Sequence, residues 1–412
     1  MNWKSGVTDA ALRHSLCCAL AVSTLFSLAS QALSVVIDDG QLKRPVSVAS
    51  HAVGMPVNRP SAALSVGTRR TSHLGSFDIV INAGPTLAAN VPALNAFNRA
   101  AEQWESFIAD PIVVTIDADL APLGAGIIGG ADSVLLFDFY NTIRNAMVDD
   151  AAHGEVDDGI VTFLPTVAQY VGFLPTGFGF NGTLQVTKAN AKALNFDGRF
   201  GDLDAAFGTS DGDIVFSSTL AFDFDNSDGV SAGTFDFESV AAHEIGHILG
   251  FISDVDYVDF VLNQGQVATD VAPTSLDLFR FESGTALPFV PPGTILNPST
   301  PAEFTTSPRW MVPGFDAITD QIDGSFGADV EVRMSTGANF GDGRQASHWK
   351  DGLMLGIMDP TLTFGEISLI RQNDLRALDL VGYEILIPEP SSLLLSMGFA
   401  CYACICRRSL FV

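Results

Sequence analysis

The sequence predicts an α+β fold, and three features predict it. Residues 77–117 read as strand, long helix and strand. Residues 237–249 read as a second helix with its own start and stop signals. Residues 370–381 take up helical spacing again after a long irregular region.

Each element has a local reason. Phe77-Asp78-Ile79-Val80-Ile81-Asn82 reads as a strand stopped by Ala83-Gly84-Pro85. Over residues 89–108, Val91, Leu94, Phe97, Ala100, Ala101, Trp104 and Phe107 fall on one helical face. Residues 113–117 read as the next strand, a glycine-rich stretch covers 124–130, and a further helix is expected over 140–151. Residues 155–210 mix short elements rich in Gly and Phe and remain ambiguous. Residues 213–218 read as a strand, followed by an acidic turn over 222–229 with Asp223, Asp225 and Asp228. That turn resembles a calcium loop only loosely, because Gly229 falls at the wrong offset and no bidentate Glu closes it; it reads as a cluster of Asx turns, with Ca2+ kept as a candidate ion. Residues 260–345 hold several Pro-rich loops and a strand-like run over 276–281. Ile370 to Val381 reads as the last helix, with Leu375, Ala377, Leu378 and Val381 on one face. No internal repeat is visible.

With 412 residues, 47% hydrophobic and 17% charged, the chain can build a large core. A net charge of −26 repels phosphate backbones and acidic membranes, which argues against nucleic acid as a partner. Cysteines stand only at 17, 18, 401, 404 and 406. The body between them has no disulfide and no thiolate ligand, so any metal must be held by His, Asp or Glu.

Both ends read as targeting signals. Lys4 and Arg13 precede an apolar stretch over 16–28, and Ser30-Gln31-Ala32 offers a small-residue cleavage site, so residues 1–32 are expected to be a secretory signal peptide. Residues 33–75, rich in Ser, Pro, Val and Arg, read as a linker or pro-segment. Lacking cysteine, they cannot impose latency by a thiolate on a metal. A domain is expected over 76–386, with an insertion at about 260–345. At the other end, Pro388-Glu389-Pro390, an apolar segment over 393–405 and Arg407-Arg408 follow one another within residues 387–412. The segment is a short transmembrane candidate whose arginines stay cytoplasmic. This tail closely resembles the PEP-CTERM sorting signal of exported bacterial proteins. The resemblance implies a transient membrane anchor, an exosortase-type processing enzyme and the export machinery as partners, and a final place in the cell envelope or outside the cell. Loss of both ends removes Lys4, Arg13, Arg407 and Arg408 against Asp9 and Glu389, leaving the body more acidic still.

The chemistry is concentrated in His243-Glu244-Ile245-Gly246-His247-Ile248-Leu249-Gly250. Two imidazoles four residues apart share one helix face, and the carboxylate between them lies about 100° round. A helix presents two zinc ligands and a base to one water molecule in this way. Asp236 is a plausible N-cap, Glu238 suits the first turn, and Gly250 can end the helix in the left-handed conformation. A catalytic zinc needs a third protein ligand. The candidates are His348, in Ala346-Ser347-His348-Trp349, and the nearby carboxylates Asp256 and Asp254.

Beyond His348 comes Gly356-Ile357-Met358-Asp359-Pro360. A distal histidine followed by a tight turn carrying a methionine is similar to the leishmanolysin-like branch of the metzincin zinc proteases. The compact metzincin pattern would place its third ligand at Ser253, a poor zinc ligand, so the chain departs from that pattern. The resemblance is tight over 236–254 and 345–382, architectural over 77–120, and absent over most of 260–340. It implies a twisted mixed sheet with two long helices, the second carrying the HExxH run, and an irregular lower subdomain with a Met-turn and a C-terminal helix. It also implies Met358 beneath the metal, shaping the site without binding.

The function expected is a secreted zinc endopeptidase with a protein or peptide substrate. His243, His247 and His348 would hold zinc, and Glu244 would act as general base. An edge strand near 213–222 would align the substrate by strand addition. Trp349 reads as packing support. Tyr383 reads as a structural residue or an oxyanion stabiliser. His51, His73 and His153 read as surface residues. A competing class is a non-catalytic envelope or matrix protein that keeps the fold, against which the retained Glu244 argues. A metal-dependent hydrolase of non-peptide bonds is a third.

Overall fold

A computed structural model describes residues 76–281 apart from 125, 153–160, 162–163, 169 and 171–173, then residues 332–386, together with the backbone of 35–38, 43–50, 281 and 309–311. Both terminal signals, His51, His73 and His153 lie outside the described residues. No helix among the described residues is long and apolar enough to cross a membrane.

The upper part is a sheet with two helices on one face. In chain order its elements are β1 (Val35–Asp38), β2 (Lys43–Ser50), β3 (Asp78–Ala83), helices α1 (Pro85–Ala89) and α2 (Val91–Glu105), β4 (Val113–Ala121), β5 (Ile127–Ser133) and β8 (Gly212–Ser217). The strands run in the order β1-β2-β5-β8-β4-β3. β3, β4 and β8 are parallel, and β5 is antiparallel to β8. The expected mixed sheet is present. Its strands alternate as a half-buried sheet must: Ile79, Ile81, Val114, Ile116, Ile214 and Phe216 enter the core. Asn82, Asp117, Asp213 and Asp132 line up in register across the other face. β4 runs past the expected residue 117 because its two partners are staggered, β3 along 113–118 and β8 along 116–121.

The expectation of an edge strand near 213–222 is overturned. β8 lies between β4 and β5 and is hydrogen-bonded on both sides, so its backbone groups are already used.

α2 starts at Val91 and not at 89 because Asn90 breaks from α1 and caps the next helix, its side chain accepting from Ala93 N at 3.3 Å. It packs on α7 (Phe237–Leu249), the second long helix. Trp104 Nε1 donates to Ala242 O at 2.9 Å, and Arg99 and Gln103 donate to Glu238 at 2.7 and 2.6 Å.

The ambiguous stretch over 155–210 holds β7 (Thr183–Thr187), paired with β6 (Leu135–Phe139), and three short helices, α4 (Lys188–Ala193), α5 (Phe196–Phe200) and α6 (Leu203–Phe207). α3 (Tyr140–Ala151) matches the expected span. Lys188 and Lys192 of α4 are buried against Asp211 and Asp204, which ties this region to the start of β8. The acidic turn is a set of Asx turns: Asp223 accepts from Asp225 N and Ser231 N, and Asp225 from Ser227 N. The Asp223 and Asp225 carboxylates are satisfied from within, and nothing there supports calcium. β9 (Phe222–Asp223) and β10 (Phe235–Asp236) close the loop.

After α7 come α8 (Val255–Asn263), β11 (Arg280–Phe281), β12 (Arg309–Met311), β13 (Val332–Met334) and α9 (Gln372–Leu380). The run at 276–281 is not a strand throughout; 276–279 is a 3-10 turn. Asp277 causes this by gathering Ser253 Oγ, Asp254 N and Thr274 N around one carboxylate.

Candidate metal centre

Helix α7 is built by local rules. The Asp236 carboxylate accepts from Ser239 N at 3.0 Å and Ser239 Oγ at 2.5 Å, capping the first turn. At the other end Gly250 has φ +127°, a conformation open to glycine, and turns the chain back on itself. That reversal brings the Phe251 carbonyl to His247 Nδ1 at 2.7 Å. The helix-ending glycine therefore also orients a ring of the motif.

Three imidazoles converge. His243 Nε2 lies 3.2 Å from His348 Nε2 and 3.2 Å from His247 Nε2. All three residues are buried. His243 Nδ1 donates to Ile357 O at 2.7 Å, and His348 Nδ1 faces Gln345 O at 3.3 Å. A carbonyl only accepts, so each Nδ1 carries the hydrogen and each Nε2 presents a lone pair. Burial favours the neutral rings, holding His243 down to about 4 and His348 well below the usual histidine range.

Three inward lone pairs repel one another unless a cation sits among them. Zinc at about 2.0–2.1 Å from each nitrogen in tetrahedral geometry sets those nitrogens about 3.3 Å apart. The two 3.2 Å spacings from His243 fit that demand, and these three residues are a group that could hold a metal ion. The set is all-nitrogen and neutral, which suits zinc.

Glu244 stands beside the triad, fully buried, and neither of its carboxylate oxygens has a hydrogen-bond partner. Burial alone pushes its carboxyl well above the usual range. A Cβ on Gly129 of β5 would come 2.9 Å from Glu244 Oε1, so glycine at that position leaves the carboxylate its room.

The alternative third ligands are engaged elsewhere. Asp254 accepts from Gln185 Nε2 at 2.6 Å and Ala272 N at 3.0 Å. Asp256 accepts from Ala346 N, Ser347 N and Ser347 Oγ. Neither belongs to the group that could hold a metal ion. Ser253 gives its hydroxyl hydrogen to Asp277. Tyr383 is no oxyanion stabiliser: it is buried in the main core, edge-on to Phe77 at 6.3 Å. Trp349 is buried against Phe251 at 4.8 Å and donates to Asp374 Oδ1 at 2.7 Å, a packing role.

Met358 is fully buried, and a methyl group on Gly246 would overlap its sulfur. The turn that carries it is pinned by Asp374 of α9, which accepts from Ile357 N at 2.8 Å, Met358 N at 3.2 Å, Arg371 N at 2.7 Å and Trp349 Nε1. Asp374 is not among the residues that the sequence singles out. Its one signal there is an acid in the first turn of a helix, which capping already explains.

Residues 182–257 match the family model for matrixin, a stretch that holds α7 and ends short of His348. The match supports a metzincin-type zinc metallopeptidase, and the α+β architecture with its mixed sheet agrees with it. No curated protein and no solved structure gives a match.

Proposed function

We propose that this chain is an exported zinc endopeptidase whose third ligand is His348 and whose general base is Glu244. The observation that carries the reading is the convergence of three Nε2 lone pairs beside a buried carboxylate with no other partner. A structural metal site needs no such carboxylate, which speaks against the non-catalytic alternative. Zinc held there would supply a Lewis acid that polarises the scissile carbonyl and acidifies water.

The chain's own residues do the rest. Nδ1 hydrogen bonds to Ile357 O and Phe251 O keep the rings of His243 and His247 turned inward. Glu244 takes the proton of the attacking water and returns it to the leaving amine. Its burial raises its proton affinity toward that task. Met358 forms the floor in the manner of a Met-turn, and the distal His348-Trp349 pair followed by that turn supports the leishmanolysin-like order.

Substrate alignment falls to β5, the strand whose Gly129 faces Glu244. In the full chain β2 takes the outer edge of β5, with Ser47–Ser50 paired to residues 127–131. This supports reading residues 33–75 as a pro-segment. A chain beginning at Ser76 should then cleave faster than one beginning at Leu33, and equal rates would overturn that part.

Glu244→Gln is the main test. It should keep stoichiometric zinc and lower the cleavage rate of an unfolded protein substrate by about 10²–10⁴-fold. Unchanged cleavage rejects the assignment. The terminal readings are tested by the mass of the mature chain in the envelope fraction; retention of residues 1–32 or 387–412 rejects them.

A further inference from the structure

His348 has the weakest grip of the three rings. The other two Nδ1 atoms reach their carbonyls at 2.7 Å, whereas His348 Nδ1 lies 3.3 Å from Gln345 O. It also arrives from 105 residues beyond His243, and closing so long a loop on one imidazole is entropically unfavourable. Its placement must come from the backbone that carries it.

That backbone is clamped immediately before the ring. Asp256 Oδ1 accepts from Ala346 N at 2.6 Å, and Oδ2 accepts from Ser347 N at 3.0 Å and Ser347 Oγ at 2.5 Å. Arg280 holds the other side of the same peptide, donating to Ala346 O at 2.9 Å and to Ser335 O at 2.5 Å. Ser347 Oγ in turn accepts from Ser253 N at 3.0 Å. Asp256 lies in the first turn of α8, a few residues past the end of α7. It therefore refers the distal ligand directly to the helix that carries the other two.

We propose that Asp256 is a positioning residue for the third metal ligand: its carboxylate fixes the Ala346–Ser347 backbone so that His348 Nε2 meets His243 and His247. A carboxylate suits the place because it only accepts, and three donors point at it. An amide of the same shape would turn an NH2 group toward one of them.

The molecule contains its own control. Asp259, one turn further along α8, clamps another segment in the same manner, accepting from Asn339 N at 2.8 Å, Asn339 Nδ2 at 2.8 Å and Phe340 N at 2.9 Å. No metal ligand adjoins that segment. A purely structural role would make the two aspartates alike in their effect on zinc; a positioning role separates them.

The inference rests on His348 being the third ligand, and its test reads metal binding and not proteolysis. Zinc affinity is measured by chelator competition on the full chain, with the visible spectrum of the cobalt-substituted protein alongside. Asp256→Asn should weaken zinc about 10- to 100-fold and alter the cobalt spectrum. Asp259→Asn should leave both as in the native chain, whatever it does to Tm. Native affinity in Asp256→Asn, or equal weakening in both variants, overturns the proposal. If Asp256→Asn does not fold, Ser347→Ala decides: it removes only the hydroxyl links and should still weaken zinc measurably, and unchanged affinity overturns the proposal. A native chain that binds zinc through three histidines yet cleaves nothing would reject the endopeptidase reading and leave this inference standing.

Discussion

Gly246 and Met358 touch at the point where helix α7 crosses the turn that follows His348. A methyl group at residue 246 would overlap the Met358 sulfur, and the Trp104 ring lies 3.4 Å from the same point. The glycine between the two motif histidines thus has a packing reason. It lets the methionine sulfur lie against the helix backbone between His243 and His247.

Gly246→Ala should therefore destabilise the protein by about 1–3 kcal/mol through overpacking, although alanine is the better helix former. Met358→Ala should cost about 2–5 kcal/mol through the cavity it leaves. The double variant should be less destabilised than the two single losses added, because the new methyl enters the vacated space. Denaturant titrations of the three variants check this, and strict additivity would show that the contact is not what restricts residue 246.

His348→Ala leaves two imidazoles on α7 and, among the described residues, no third member of the group that could hold a metal, since Asp254 and Asp256 are held by other groups. Zinc should fall well below one equivalent after gel filtration while the helix content stays unchanged. Full retention of zinc would assign the third ligand elsewhere.

Asp374→Ala strips the partner from four donors, including the indole beside His348 and two amides of the Met358 turn. A loss of at least about 2 kcal/mol is expected, since buried donors without acceptors are costly. The Trp349 indole should become a more mobile fluorophore, read as a fall in anisotropy. An unchanged Tm would contradict the pinning role.

Several buried carboxyls set a pH dependence. Desolvation pushes Asp110 and Asp150 up to about 7, reinforced by the charges of Glu384 and Asp379, while Arg199 acts the other way on Asp150. Asp132 and Asp359 are pushed to about 7 as well, again first by burial. A carboxyl whose folded pKa is raised binds its proton more tightly in the native state. Its contribution is full below the unfolded value near 4 and is lost as pH rises through about 7. In zinc-free protein the lowered pKa values of His243 and His348 act the other way as pH rises through about 6.5, but the four carboxyls outnumber them. Its Tm should thus be higher at about pH 5.5 than at about pH 8, and Asp110→Asn with Asp150→Asn should reduce the difference. A Tm that rises over that interval would refute the assignment.

Much of the site is legible in the amino-acid order. Helix α7 can be read to the residue, because a capping Asp, a four-residue histidine spacing and a terminal glycine are all local signals. Helix α8 is harder to read. Val255, Val258 and Val261 keep helical spacing, but Asp254 and Asp256 at its start look equally like metal ligands, and nothing local separates the two roles. The place of β8 cannot be read at all. Whether a strand lies at an edge or in the middle depends on which other strands it pairs with, and alternation within the strand is the same in both cases.

Local order suffices for the His243–His247 pair, the carboxylate between them, the helix that presents them and the lack of thiolates in the body of the chain. Those follow from helical periodicity and composition, which act over a few residues. Long-range packing decides that His348 and not a nearby aspartate meets the pair, that Ile357 and Phe251 carbonyls turn the rings inward, that Asp256 holds the backbone before His348, and that Asp374 holds the Trp349 indole after it. Except for the Phe251 bond, these contacts join groups many residues apart. Their existence depends on how the chain closes its long loops, and no short-range pattern records that.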